Sequence, residues 1–203
     1  MIFFSFPHVP RELYRERISF RDYVIFDEKP EVIEKWTAQI QEILDAIDKH
    51  NLQDLEKLTE RHDRRSYAVE VCETLKEEGL DEEDKTLLAI GLWIQREQDK
   101  WSNRRIIAKT IIGGTHGLSS FLRNKGKSTC LDLSVLTKRM AENFHIAGDV
   151  EFSQLDGRVP HGYFRSNSGK IVDIWLGWKR GGLFQNEKKF EEKEEMSKHL
   201  CGK

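Results

Sequence analysis

The stretch DVEFSQLDGRVPHGYFRSNSGKIVDIWL, residues 149–176, decides how this chain is read. Three runs, 149–155, 159–165 and 170–176, are separated by Asp156-Gly157 and by Ser166-Asn167-Ser168-Gly169. Both separators are turn chemistry: glycine accepts positive φ, and short polar side chains bond back to the main chain. The pattern predicts an antiparallel meander. If Arg165 and Gly169 flank the second turn, His161 and Asp173 are cross-strand neighbours, and alternation puts both on one face with Tyr163, Ile171 and Trp175. Pairing across Asp156-Gly157 sets Phe152 opposite His161, so an aromatic wall is expected beside the imidazole. Asp173 lies between Val172 and Ile174, and a carboxylate in an apolar strand needs a partner. His161 is the nearest one.

Upstream of the meander, Ser128 or Thr129 is placed to cap a helix running through Leu131, Leu133, Val135, Leu136, Met140, Ala141 and Phe144, with Gly148 after its end. Cys130 falls at the start of that helix. The first turn of a helix carries unpaired N–H groups and the positive end of the dipole, which favour a thiolate and also an oxyanion on an attacked carbonyl. A nucleophilic cysteine works as its thiolate, and an imidazole partner promotes that form. A carboxylate beside the imidazole fixes its tautomer. Cys130, His161 and Asp173 are therefore the candidate catalytic residues.

The first half of the chain reads as mostly helical. From Glu31 to His50 the residues Ile33, Trp36, Ile40, Ile43, Leu44 and Ile47 recur every three or four positions, with Pro30 suited to the start. Leu52, Leu55 and Leu58 continue after a break near Asn51, and Tyr67 to Glu78 predicts a further helix closed by Gly79. Asp81 caps the next, whose Leu87 to Ile94 run is apolar on several sides and is expected to cross the interior. Tyr23 to Phe26 forms a possible strand. Residues 1–112 are thus a helical portion packed on a core spanning 113–184, and 185–203 is a charge run expected to be a solvated helix or frayed tail.

Composition narrows the classes. The 203 residues are one third charged but nearly balanced, with a formal net charge of −2, which argues against nucleic-acid binding. No segment reaches membrane-spanning length, and the apolar residues of MIFFSFPHVP have no basic stretch ahead of them, unlike a signal peptide. Three widely spaced cysteines, Cys72, Cys130 and Cys201, predict reduced thiols in a cytoplasm and no zinc site. No cofactor is called for, and the oligomeric state is left open.

The order of these elements resembles the transglutaminase-like superfamily: a Cys at a helix start, His on one strand and Asp on the next. The resemblance covers roughly residues 127–178. It is carried by Gly126-Lys127-Ser128-Thr129-Cys130-Leu131-Asp132-Leu133-Ser134, by His161-Gly162-Tyr163 and by Ile171-Val172-Asp173. It implies an α+β, papain-like fold and acyl transfer or amide hydrolysis through a thioester on a protein or peptide amide. Tyr163, Trp175 and Asn124 are then candidate substrate-binding residues, with Asn124, Asn103 and Trp101 as candidates to complete an oxyanion hole. Leu131 stands where the family often has an aromatic residue. The alternative is an inactive scaffold of the same fold serving as a protein-interaction module.

Other chemically suggestive residues have plainer readings. Cys72 lies among apolar helix positions and Cys201 in a polar tail. His116, within Gly113-Gly114-Thr115-His116-Gly117, reads as part of a turn, and His145 as the end of the nucleophile helix, where a cation is favoured. Trp93 reads as core, and Lys179-Arg180 before Gly181-Gly182 as a solvated turn.

Overall fold

The computed structural model describes residues 25–26, 28–59, 75, 79–100, 116–117, 130–155, 159–177 and 180–201. Among these, five helices and a four-stranded antiparallel sheet make an α+β architecture with a mostly helical N-terminal half.

Helix α1, Pro30–Asp48, begins on Pro30, whose missing N–H costs nothing in a first turn. Its buried face is Ile33, Trp36, Ile40, Ile43, Leu44, Ala46 and Ile47, the stripe anticipated from the sequence. His50 turns to a φ of 47°, and Asn51 caps α2, Leu52–Thr59, by accepting the Asp54 N–H at 3.2 Å. The helix expected over 67–78 lies outside the described residues except for Leu75, which is buried.

Helix α3, Glu82–Lys100, is capped reciprocally: Asp81 Oδ1 accepts the Asp84 N–H at 2.9 Å, and Asp84 Oδ2 accepts the Asp81 N–H at 3.2 Å. Every residue from Leu87 to Gln95 is buried, so this helix does cross the interior. Trp93 packs on Trp36 with ring centroids 5.4 Å apart and donates its indole N–H to Gln39. Helix α4, Cys130–Asn143, buries Leu133, Leu136, Met140 and Ala141 into the same core. Two residues past its end, His145 adopts a φ of 60°.

The short strands β1, Ile25–Phe26, and β2, His116–Gly117, pair in parallel, so His116 belongs to a strand rather than to a plain turn. Strands β3, Gly148–Leu155, β4, Val159–Ser166, β5, Ile171–Val172, and β6, Leu183–Phe184, follow one another across the main sheet. Alternation divides their side chains. Phe164, Val172 and Leu183 join the core built by α1, α3 and α4. Tyr163, Ile171 and Phe184 face the other way and meet helix α5, Glu187–Cys201, through Phe190.

The charge run at the C-terminus is therefore a docked helix. Its Phe190 stacks on Tyr163 at 4.7 Å and edge-on to Phe184 at 5.4 Å, and Glu194 accepts the Ser153 hydroxyl at 2.6 Å. One phenylalanine buried to 3 % exposure contributes about 1.5–3 kcal/mol to docking this otherwise polar helix on the sheet.

The register differs from the sequence expectation at both turns. Ser166 donates its N–H to Lys170 O at 2.9 Å, so three residues, 167–169, make the second turn, with Gly169 at a φ of 94°. Arg165 then faces Ile171 and Phe164 faces Val172, which brings Asp173 level with Tyr163 instead of His161. The shift is by two residues and keeps the same face. At the first turn three residues again intervene, Leu155 faces Val159, and Ser153, not Phe152, lies opposite His161. That one-residue shift removes the expected Phe152 wall.

Candidate active site

Cys130, His161 and Asp173 come from α4, β4 and the turn after β5, and the fold brings them together. Asp173 leaves the sheet at once, because β5 ends at Val172. Its Oδ1 accepts the N–H groups of Trp175 at 2.9 Å and Leu176 at 3.0 Å, the hydrogen bonds of a carboxylate that opens a turn. Its own N–H donates to Gly182 O at 2.7 Å, and its carbonyl accepts the Gly177 N–H at 2.8 Å. The one oxygen left, Oδ2, bonds His161 Nε2.

His161 and Asp173 are each 1 % exposed. Burial disfavours a charged imidazole, but hydrogen bonds with Asp173 and Cys130, and the charges of both, outweigh it and push the His161 pKa up to about 10. Asp173 occupies Nε2, so Nδ1 is the ring nitrogen left for Cys130. The imidazole is bracketed by an acid on one side and a thiol on the other.

Cys130 is partly exposed and is the first residue of α4. Its Sγ accepts the backbone N–H of Gly162 at 3.3 Å. Strand β5 stops at the level of Phe164, so it does not extend alongside Gly162. The absence of a side chain at 162 lets the start of α4 lie on the strand: a Cβ there would stand 3.2 Å from Leu131 Cα and 3.4 Å from Leu131 N. In the sequence Gly162 stands only as the middle of His161-Gly162-Tyr163, with no role of its own. The available signal was a glycine inside a strand beside a histidine, which marks a close backbone approach.

The other sequence candidates divide. Trp175 is 61 % exposed and its ring centroid is 6.5 Å from that of His161, so it stands at the rim of the site and supplies the aromatic neighbour once expected of Phe152. Tyr163 is buried against Phe190, and its hydroxyl donates to Glu151 Oε2 at 3.3 Å, while Arg165 bonds the same carboxylate at 2.7 Å. Its ring serves the α5 contact. Asn124, Asn103 and Trp101 lie outside the described residues.

Two open concavities lie elsewhere, one of about 630 Å³ between α1 and the end of α4 and one of about 450 Å³ around Phe144 and Asn167. Neither is lined by the three residues. Among the described residues, no cluster of three His, Cys, Asp or Glu side chains is placed to hold a metal ion, and no helix is long and apolar enough to cross a membrane. Comparison with protein-family models, curated proteins and solved structures returned no match.

Proposed function

We propose that the chain is a cysteine-dependent enzyme of acyl transfer or amide hydrolysis, with Cys130 as nucleophile, His161 as proton acceptor and Asp173 as the group that orients it. The observation that carries this reading is the buried His161 ring hydrogen-bonded to Asp173 Oδ2 and to Cys130, the three groups coming from separate elements. A buried histidine has no structural need for an acid on one side and a partly exposed thiol on the other. A nucleophile needs both.

In the resting site the proton resides on the imidazole, and the sulfur faces both His161 and the Gly162 N–H. Attack by Sγ on a carbonyl carbon forms a tetrahedral species whose collapse expels the leaving amine, which takes its proton from His161. The product is a thioester on Cys130. Water or an amine, deprotonated by the now neutral imidazole, attacks the thioester carbonyl and releases the acyl group. The transglutaminase-like, papain-like resemblance supports a protein or peptide amide as donor, and the exposed Trp175 ring beside His161 supports an apolar contact with such a chain.

The test is iodoacetamide labelling of the intact protein across pH, followed by mass mapping of Cys130, in wild type, His161→Ala and Asp173→Asn. Cys130 is expected to label fast at neutral pH and to slow in His161→Ala. Labelling no faster than that of a free cysteine, and unchanged by His161→Ala, would remove the reading. Release of ammonia from a glutamine peptide, with and without added amine, then separates hydrolysis from transfer.

A further inference from the structure

Between residues 187 and 196 of α5 only Phe190 and Glu194 are buried, and Glu194 is 8 % exposed. Burying a carboxylate is costly unless a charge or several hydrogen bonds meet it. Among the described residues this one forms no ion pair, and its hydrogen bond comes from the neutral Ser153 hydroxyl at 2.6 Å. The proposed proton relay does not use it.

Its place follows from the way α5 lies on the sheet. Glu187 meets Arg165 at 3.0 Å, Phe190 stacks on Tyr163 at 4.7 Å, and Glu194 meets Ser153, which stands directly opposite His161. Residues 165, 163 and 161 project from one face of β4, and residues opposite one another in a strand pair share a face, so Ser153 and His161 face α5 together. The three contacts advance in step. From 187 to 194 the helix rises about 10 Å, and from 165 to 161 the strand runs about 13 Å. Glu194 is therefore level with His161.

The charges around His161 are already divided among partners. Asp173 and Cys130 meet the ring itself, and Asp132 lies with Cys130 in the first turn of α4. On the α5 face, Arg165 is bonded to Glu151 and Glu187, Tyr163 donates to the same Glu151, and Lys193 stands over the Phe184 ring. The positive charge left to Glu194 is the imidazolium, one cross-strand step from Ser153, where paired Cβ atoms are about 5 Å apart.

From this placement we infer that Glu194 is a positioning residue for the proposed reaction: tethered by Ser153 across from His161, its charge holds the imidazole in the protonated form while the acyl-enzyme is made. The inference rests on the acyl-transfer reading above. As the carbon–nitrogen bond of the tetrahedral species breaks, its electron pair takes the proton from His161 and the amine departs neutral. An anion on this side of the ring favours the donor form beforehand. Because Glu194 arrives on α5, the acid is at full strength only while that helix is docked.

The experiment follows the His161 ring-proton titration by NMR in the full chain, comparing wild type, Glu194→Gln and Glu187→Gln. Glutamine at 194 keeps an acceptor for the Ser153 hydroxyl while removing the charge. Glu194→Gln is expected to move the titration about one pH unit lower, with the melting temperature held or raised, and to carry down with it the alkaline limb of ammonia release from a glutamine peptide. Glu187→Gln, which removes the same charge at the level of Arg165, is expected to leave the titration in place. An unmoved titration in Glu194→Gln, or equal shifts in both variants, overturns the assignment. So does a shift accompanied by a fall in melting temperature, which is undocking of α5 and not loss of a charge. A wild type that releases no ammonia and alkylates at Cys130 no faster than a free cysteine overturns the acyl-transfer reading instead, and is recognised without either variant.

Discussion

Gly162 gives its backbone N–H to Cys130 Sγ at 3.3 Å while leaving the space at its own Cα to Leu131. Both halves of that relationship set where the sulfur sits. Gly162→Ala puts a Cβ 3.2 Å from Leu131 Cα, so α4 must withdraw by a few tenths of an ångström. The expected cost is about 1 kcal/mol in stability, read by urea unfolding. Labelling of Cys130 by iodoacetamide should fall about tenfold, because misplacement of reacting groups is costly in rate. A variant that labels as fast as wild type would show that the contact does not position the thiol.

Asp173 holds a turn with one oxygen and His161 with the other, and two substitutions separate the roles. Asn at 173 keeps an acceptor for the Trp175 and Leu176 N–H groups but removes the charge facing His161. Turnover is expected to fall about 10²–10⁴-fold with the melting temperature little changed. Ala at 173 also strips the turn and should cost about 3 kcal/mol or more, since it leaves a buried imidazole alone. Equal melting temperatures for the two variants would contradict this division.

His161 carries a raised pKa, about 10 against an ordinary 6.5, and the sign follows. Its contribution to stability is present in full below about pH 6.5 and is lost as pH climbs toward 10, since the unfolded chain releases that proton first. Stability of the wild type should therefore decline across this window more steeply than that of His161→Gln. Because Cys130 is one of the groups that raise it, Cys130→Ala should shift the His161 ring-proton titration to lower pH, measured by NMR. An unmoved titration would mean that the thiol and the imidazole are not coupled.

Gly91 lies in a helix interior, where alanine ordinarily gains about 1 kcal/mol. Here the sign reverses. A Cβ at 91 would overlap Gly181 O at 1.6 Å, so Gly91→Ala must separate α3 from the turn that carries Asp173. A loss of about 3 kcal/mol is expected, with Cys130 labelling slowed as well. Stabilisation on thermal unfolding would refute the contact.

Phe190→Ala tests the docking of α5. Truncating an aromatic ring this buried costs about 3–5 kcal/mol, whereas the same change on a solvated tail would cost nothing measurable.

The elements that could be read directly from sequence were those with a long apolar period or a strong cap: the α1 stripe from Ile33 to Ile47, the interior run Leu87 to Ile94 under the Asp81 cap, and Cys130 at a helix start. The three candidate catalytic residues were legible because their order survives small errors of register. Turn length did not come through. Asp156-Gly157 and Asn167-Ser168-Gly169 both serve three-residue connections, and a turn's composition says less about its length than about its place. A two-residue error left Asp173 on the right face, whereas a one-residue error exchanged Ser153 for Phe152 beside His161. The α5 contact was hidden for another reason: Phe190 and Glu194 are two buried positions in a strongly charged segment, too sparse for a periodic signal.

The close contacts of Gly177 and Gly182 with Asp173, and of Gly181 with Leu88 on α3, leave the carboxylate little room to move on its own. Binding loops and active-site lids are drawn from the least stable parts of a fold and can open before the whole molecule melts. Here Asp173 is fastened through Gly181 and Gly182 to the most deeply buried helix, so, on the proposed reading, loss of activity and loss of the fold should form one cooperative event. Residual activity would then be a direct gauge of the fraction of molecules still folded.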